Sequence, residues 1–437
     1  MRTSECREIP ELQTLSSLHC PQTLHDAIAQ PETWRSALSH LERRRPGDHV
    51  MLAEYRSMLD SGAIDHLIDA VLDGRHQVTP PARHSINKAH AHRKKVIFRL
   101  NRRDEFLMRV LNHVLQPAVD AELSPRCHSF RAGHSAHSAF QSIMRHDPGE
   151  LFTVHLDIAD FFNSINVEGL LAGLPQIVRD DRTVMAVLEP FLRSPIVCDD
   201  GRLVAIEHKG VMAGTPLAPL LTNLYLRDLD RRIVDSGVVS ARYSDDFIVL
   251  GDARAVERAE TLIRDDLASR GLMINEEKTR RTAPGEAWDF LGLRYDRGEI
   301  GLSENTVAKL RAKVRRRARN LDRYRTATGR TGSDICRLFA RTLNRKLYGV
   351  GARGENTFCW SAWFFPVITT TDQLRPLDAF IQEQVRYAAT GTRRVRARKI
   401  LPYVTLRESG YIPLITAYHA RRSNRGAAIG RRAEVAS

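Results

Sequence analysis

Asp245 and Asp246 stand side by side in the stretch Arg242-Tyr243-Ser244-Asp245-Asp246-Phe247-Ile248-Val249-Leu250. The run from Gly237 to Arg242 is rich in β-branched residues, and an apolar run from Phe247 to Leu250 ends at Gly251. This pattern predicts strand, tight turn and strand, with the acids at the tip. Neighbouring side chains on a strand diverge, so two adjacent aspartates act together only at a turn. They also repel each other, and an apolar hairpin holds them best around a cation. Ser-Asp-Asp is equally good turn chemistry, so these residues alone leave a solvated turn and a metal site open. A second acidic turn bears on the choice. Leu151 to Leu156 reads as a buried strand that ends in Asp157-Ile158-Ala159-Asp160-Phe161-Phe162. Asp157 together with Asp245 and Asp246 would make a set of carboxylates able to hold two divalent ions about 4 Å apart. Mg²⁺, hard and octahedral, suits such oxygen ligands, and Mn²⁺ could replace it.

The elements that must position these acids can be read in chain order. Residues 1 to about 75 have helical spacing, as in Leu52, Tyr55 and Leu59 and again in Ile64, Leu67, Ile68 and Val71. Pro80-Pro81 marks a break, followed by a basic stretch from Lys88 that ends as a strand near Leu100. His90 and His92 within it have no nearby partner ligands, which favours a solvated basic loop over a metal site. A helix over 104–123 presents Phe106, Val110, Leu111, Val114 and Leu115 on one face. Beyond Asp160 the pattern predicts a hairpin around Asp199-Asp200-Gly201 and a long apolar helix opened by Gly210 to Pro219. A charged helix follows from Ala253 to about Arg270, then a turn and short strand from Gly271, and one strand over Asp289 to Tyr295. From Ser303 a helix carries Lys309, Arg311, Lys313, Arg315 and Arg319 around an apolar stripe of Val307, Leu310, Val314 and Leu321. Residues 326–333 read as a linker, and the remainder is helical with an aromatic cluster from Phe358 to Phe365 that reads as core.

Composition narrows the partner. Lys and Arg total 66 against 52 acids, a net charge of +14 over 437 residues, which points to a polyanion and most simply to nucleic acid. The six cysteines show no CxxC pair, which argues against a zinc module or a disulfide framework and suits a reducing cytoplasm. No run approaches the roughly 18 apolar residues of a membrane span.

Asp157-Ile-Ala-Asp-Phe-Phe together with Tyr243-Ser-Asp-Asp resembles motifs A and C of reverse transcriptases, close to those of group II introns and their bacterial relatives. Further stretches fall in family order over roughly residues 80 to 325. Cys127 to Ala139 resembles the finger motif, Gly210 to Leu226 motif B, Gly271 to Thr279 motif D, and Phe290-Leu291-Gly292 the primer grip. The resemblance implies an α+β right-hand fold, with fingers and a palm built on a small antiparallel sheet, an α-helical thumb and a helical C-terminal extension. The boundaries expected are 1–79 for a helical N-terminal extension, 80–300 for fingers and palm, 301–330 for thumb helix and linker, and 331–437 for the extension.

The same resemblance implies an RNA-directed DNA polymerase with RNA template, DNA product and dNTPs as partners and no membrane. Asp157, Asp245 and Asp246 would bind the metals, and Lys278 would serve the leaving pyrophosphate. Lys95, Arg99, Asp160, Phe161, Phe162, Ala213 and Gly214 would surround the nucleotide, with Phe162 as the gate against a ribose 2′-hydroxyl. Arg131, Arg311, Arg315 and Arg319 would meet nucleic-acid phosphates. Motif B departs from the family pattern, with Ala213 where Gln is usual and Ala218 where Ser is usual. A motif B without Gln is familiar among diversity-generating and defence-associated bacterial members, and the C-terminal stretch resembles the helical extension of standalone ones, which implies a cognate noncoding RNA and antiphage defence. It also leaves template-independent or protein-primed synthesis open, and the basic thumb leaves open a maturase-like splicing cofactor.

Overall fold

The computed structural model describes residues 23–45, 47–86, 95–350 and 359–423. His90, His92 and Phe358 lie outside the described residues, as do residues 1–22 and the tail from 424. Four helices come first, α1 (Leu24–Ala29), α2 (Pro31–Arg44), α3 (His49–Asp60) and α4 (Asp65–Leu72). Strands β1 (Ala82–Ile86) and β2 (Lys95–Arg99) pair antiparallel, and α5 (Arg102–Glu122) follows behind an Asn101 cap that accepts from the Asp104 amide. The N-terminal helices pack on α5 through rings: Tyr55 stacks on Phe106 at 4.4 Å between centroids, and Trp34 meets that ring edge-on at 5.4 Å. Next come α6 (Ala136–Met144), opened by a Ser135–Ser138 capping box, and β3 (Phe152–Asp157). Short helices α7 (Phe161–Ser164), α8 (Val167–Ala172) and α9 (Gln176–Arg179), then α10 (Arg182–Arg193), lead to the hairpin β4 (Ile196–Asp199) and β5 (Arg202–Ala205). β4 joins β1 in parallel, giving a fingers sheet of order β2-β1-β4-β5.

The apolar helix after the Gly-Pro loop is shorter than its composition predicts. It divides at the buried Leu226 into α11 (Ala218–Tyr225) and α12 (Arg227–Asp235), because the Leu226 backbone leaves the helical region at φ −102° and ψ 3°. Strands β6 (Val239–Tyr243) and β7 (Asp246–Gly251), α13 (Ala253–Ser269) and β8 (Arg280–Thr282) complete the palm. Its sheet is antiparallel throughout, in the order β6-β7-β3-β8. Both faces of that sheet are covered. Phe247 and Val249 enter one core with α5, α11 and α13, while Ile248 and Leu250 enter a second core with α6 and the C-terminal helices. This is why β7 reads as a continuous apolar run instead of an alternating one.

Two expected strands differ. The stretch after Gly271 makes a single bridge, Ile158 to Ile274. The one strand expected over Asp289 to Tyr295 is two, β9 (Trp288–Phe290) and β10 (Leu293–Asp296), because Leu291 at φ 52° and Gly292 at φ 82° reverse the chain. β11 (Glu299–Leu302) completes that small antiparallel sheet. The thumb helix α14 (Glu304–Thr328) starts at a Ser303 cap and stops at Gly329 in the left-handed region. It absorbs part of the expected linker, since the Thr326 and Thr328 hydroxyls donate to the Asp322 and Tyr324 carbonyls one turn back. Helices α15 (Gly332–Tyr348), α16 (Trp360–Phe364), α17 (Leu374–Thr390), α18 (Arg394–Ile400) and α19 (Tyr403–Glu408) follow. Leu310, Val314, Ala318 and Leu321 of α14 share one core with Leu374, Leu377 and Ile381 of α17.

A chain ended at Arg330 would uncover that apolar stripe. It is expected to partition into the insoluble fraction or into aggregates by size exclusion, whereas the full chain stays dispersed.

Candidate active site

The β3–β7 register sets Asp157 directly opposite Asp246, and β6 and β7 are joined by the two-residue turn Ser244-Asp245. Ser244 takes φ 64° at the first turn position, and Asp245 follows it at the tip. One ligand atom from each of Asp157, Asp245 and Asp246 lies within 4.8 Å of the other two. A one-residue slip of β3 would turn Asp157 to the opposite face of the sheet and dissolve the set.

Burial and mutual repulsion act on these acids together. Burial first, then repulsion from Asp246 and Asp157, pushes the Asp245 carboxyl up to about 6. Burial also raises Asp157, against the pull of Lys278, whose Nζ stands 2.6 Å from the Asp157 carboxylate. Asn275 fixes the loop that carries Lys278, its amide donating to the Asp157 carbonyl at 2.7 Å. His155, two residues before Asp157 and on the same face of β3, lies 3.2 Å from the Asp246 carboxylate. Three hard oxygen donors crowded at the strand ends of an apolar sheet fit a divalent cation, which would offset both desolvation and repulsion.

The turn is anchored from beneath by Arg242. This residue is 1% exposed, and its guanidinium makes a two-pronged ion pair with Asp230 at 2.7 and 2.6 Å. It also donates to the Ser244 carbonyl at 3.0 Å, to Asn223 at 3.2 Å and to the Cys127 sulfur at 3.1 Å. Asn223 in turn donates to the Ser129 carbonyl at 2.8 Å. The finger motif, motif B and the catalytic hairpin therefore meet at one cation.

Other residues expected at the site divide by exposure. Phe162 is half-buried, edge-on to Phe130 at 6.3 Å, and its carbonyl accepts from the Val211 amide at 2.9 Å. A Cβ on Gly210 would overlap that same carbonyl, so only glycine lets the motif B loop approach. Phe161 is a correction: at 2% exposure its ring fills the core and is withheld from any nucleotide. Asp160 is exposed, in the left-handed region at φ 45°. Ala213 is buried, and its carbonyl accepts from the Phe98 amide at 2.7 Å, tying motif B to the strand on which Lys95 and Arg99 are exposed. Gly214 permits that seam, since a Cβ there would stand 2.8 Å from the Phe98 carbonyl oxygen. Asn163 braces it from motif A, accepting from the Ala213 amide at 3.1 Å.

Arg131 is a second correction. Its guanidinium donates to the Ser124, Cys127 and Asp120 carbonyls and to the Asp120 carboxylate, which makes it the clasp of its own loop. Arg311 and Arg315 both lie over the Phe380 ring, Arg311 half-buried; Arg315 and Arg319 remain exposed. Beside the carboxylates runs a groove of about 490 Å³. Asp157, Asp246, Lys278 and His155 line it with Phe290, Leu291 and Gly292, the residues expected as a primer grip, and so do Lys309 and Lys313 of α14. His155 and Asn163 had no role in the motif reading. The period of two from Asp157 could have indicated His155, whereas nothing local marks Asn163.

A small antiparallel sheet that offers three carboxylates between fingers and a basic helix defines the palm of a nucleic-acid polymerase. Residues 92–295 match the family described as reverse transcriptase (RNA-dependent DNA polymerase), so the chain carries a reverse transcriptase domain. It is similar to an uncharacterised protein in a cob intron of Schizosaccharomyces pombe, 28% identical over 39% of this chain and 21% of that one. The retron Ec86 reverse transcriptase of Escherichia coli is 25% identical over 42% of this chain and 55% of its own length. The group II intron-encoded protein LtrA of Lactococcus lactis is 25% identical over 39% and 28%. The chain thus spans between a fifth and about half of these relatives. A Candida albicans telomerase solved with a telomeric RNA fragment aligns at TM-score 0.42 and 13% identity, over 80% of this chain and 66% of that one.

Two outcomes follow from this geometry. Arg242→Ala strands the buried Asp230 charge and should lower stability by about 3–5 kcal/mol, read as a fall in the urea midpoint. Asp245 titrates near 6 in the fold against 3.8 as its ordinary value, so its ionisation weakens the metal-free fold as pH rises from about 4 to 6. Mg²⁺ should therefore raise the melting temperature at pH 7.5 and much less at pH 5, and Asp245→Asn should shrink the shift at pH 7.5.

Proposed function

We propose that the protein is an RNA-directed DNA polymerase that adds dNTPs to a primer 3′-hydroxyl on an RNA template, using Mg²⁺ held by Asp157, Asp245 and Asp246. The observation that carries the reading is the set of three carboxylate oxygens within 4.8 Å of one another inside the matched segment. When bound, the two ions would ease deprotonation of the hydroxyl and neutralise the triphosphate and the departing pyrophosphate. The remaining work belongs to the chain's own side chains. Lys278, an exposed ammonium against Asp157, is placed to donate a proton or charge to pyrophosphate. Phe162, half-buried beside Phe130, would exclude a 2′-hydroxyl with its ring. Lys95 and Arg99 share the outer face of β2 and would meet the triphosphate. Lys309 and Lys313, one turn apart on α14, would meet primer phosphates in the groove.

A cognate structured RNA as template is supported by the net charge of +14 and the exposed arginines of α14. Antiphage defence, in the cytoplasm, is the setting we propose on the strength of the Ala213 and Ala218 departures in motif B.

Purified protein given Mg²⁺, dNTPs and a primed RNA should make DNA complementary to that RNA. Asp245→Ala should lower the rate by a factor of about 10² or more. Phe162→Ala should raise rNTP incorporation relative to dNTP by roughly tenfold. Product unrelated in sequence to the supplied RNA would sink the templated reading.

A further inference from the structure

The groove beside the carboxylates has one wall that comes from outside the polymerase motifs. Trp360 and Phe364, both on α16, line it together with Lys278, Lys309 and Lys313. Helix α16 is wedged against three parts of the catalytic machinery. Gly292 of the primer grip lies beneath Phe364, where a Cβ would sit 3.3 Å from the ring. His137 of α6 contacts the Trp363 carbonyl at 2.5 Å, and the Trp363 ring meets Tyr243 of the catalytic hairpin edge-on at 6.4 Å. The Trp360 indole is itself held, 5.0 Å from the Phe364 ring and 5.9 Å edge-on to Phe365. Phe365 in turn packs against the buried Tyr418. Phe364 and Phe365 are core, yet Trp360 is half-buried and keeps a face on the groove.

We propose that Trp360 is a positioning residue for the primer: its indole supports a nucleotide at the 3′ end of the primer strand, so the C-terminal helices complete the polymerase site. The proposal rests on the polymerase reading above. Its chemistry is that of single-stranded nucleic-acid grooves, where an aromatic face takes a base or sugar while flanking lysines take the phosphates. The charges fit one occupant. Lys309 and Lys313 of α14 line the groove together with Asp157, Asp246 and Asp289, so a polyanionic strand would lie along the lysines with its hydroxyl terminus toward the acids that would bind metal. A platform braced by Phe364 and Phe365 costs little side-chain entropy when a base stacks on it. A purely structural role for Trp360 would leave primer affinity untouched.

The test uses the full-length protein, Mg²⁺, dNTPs and a DNA primer annealed to a synthetic RNA template. Trp360→Ala should raise the KM for the primed duplex about tenfold, the loss of one base stack, with the KM for dNTP and the melting temperature close to wild type. Trp360→Phe should restore most of the primer affinity. An unchanged primer KM in Trp360→Ala overturns the proposal. Should that variant fail to fold, indole fluorescence decides. Adding the primed duplex should quench the wild type more than Trp360→Phe, and equal quenching in the two overturns the proposal. Absence of DNA synthesis by the wild type would remove the polymerase reading, while the fluorescence comparison would still report on the groove.

Discussion

A single buried guanidinium holds the acidic turn in place. Arg242 is closed off from solvent, and its donors go to Asp230 on α12, Asn223 on α11, Cys127 in the loop after α5, and the carbonyl of Ser244 two residues ahead of it. Lysine could not replace it, because only a planar fork serves several acceptors in fixed directions at once. A buried ion pair adds little net stability over well-packed apolar side chains, and its use here is geometric. It holds a serine at φ 64° directly before Asp245, in a conformation that L residues seldom adopt without such support.

On that anchored turn the palm sheet performs two tasks that conflict electrostatically. Its apolar faces are buried in two cores, while the ends of its two central strands gather three acids, and burial opposes the ionisation of Asp157 and Asp245. Lys278 and His155 lie against two of these acids, Lys278 at Asp157 and His155 at Asp246, and the Lys278 ammonium pulls against the rise at Asp157. A divalent cation bound among the three acids would offset the remainder. Fingers and palm meet under a similar constraint. Gly210 and Gly214 bring two backbones so close that any side chain there would collide, and Asn163 closes the seam.

The thumb and the C-terminal helices do not pack as separate bodies. Helix α14 presents its apolar stripe to α17 and leaves its basic side chains outward, so the charged surface exists because the extension covers the other side. Arg311 and Arg315 over Phe380 belong to this arrangement, their stems lying on apolar surface with the charge at its edge. Through α16 the same extension reaches the groove beside the acids, bringing residues near 360 against residues near 155, 243 and 292.

The amino-acid sequence by itself determined what depends on local pattern. The apolar runs flanking Ser244 and Asp245 specify a hairpin, Asp157 ends a buried strand, and the Ser303 cap begins a helix, because strand period, turn chemistry and capping act over a few residues. Those signals are enough to bring out the three acids, whereas Lys278 is singled out only by resemblance and the stretch that reverses at Leu291 and Gly292 reads as one unbroken strand. Tertiary structure alone decided which of the expected site residues are bound up in the fold itself. Arg131 looked like a phosphate contact and is the clasp of a loop; Phe161 looked like a pocket wall and is core. Arg242, Asp230 and Asn223 carry no local signal of their joint role. A buried charge is recognised by the partners that surround it, and those partners come from segments that only the folded chain brings together.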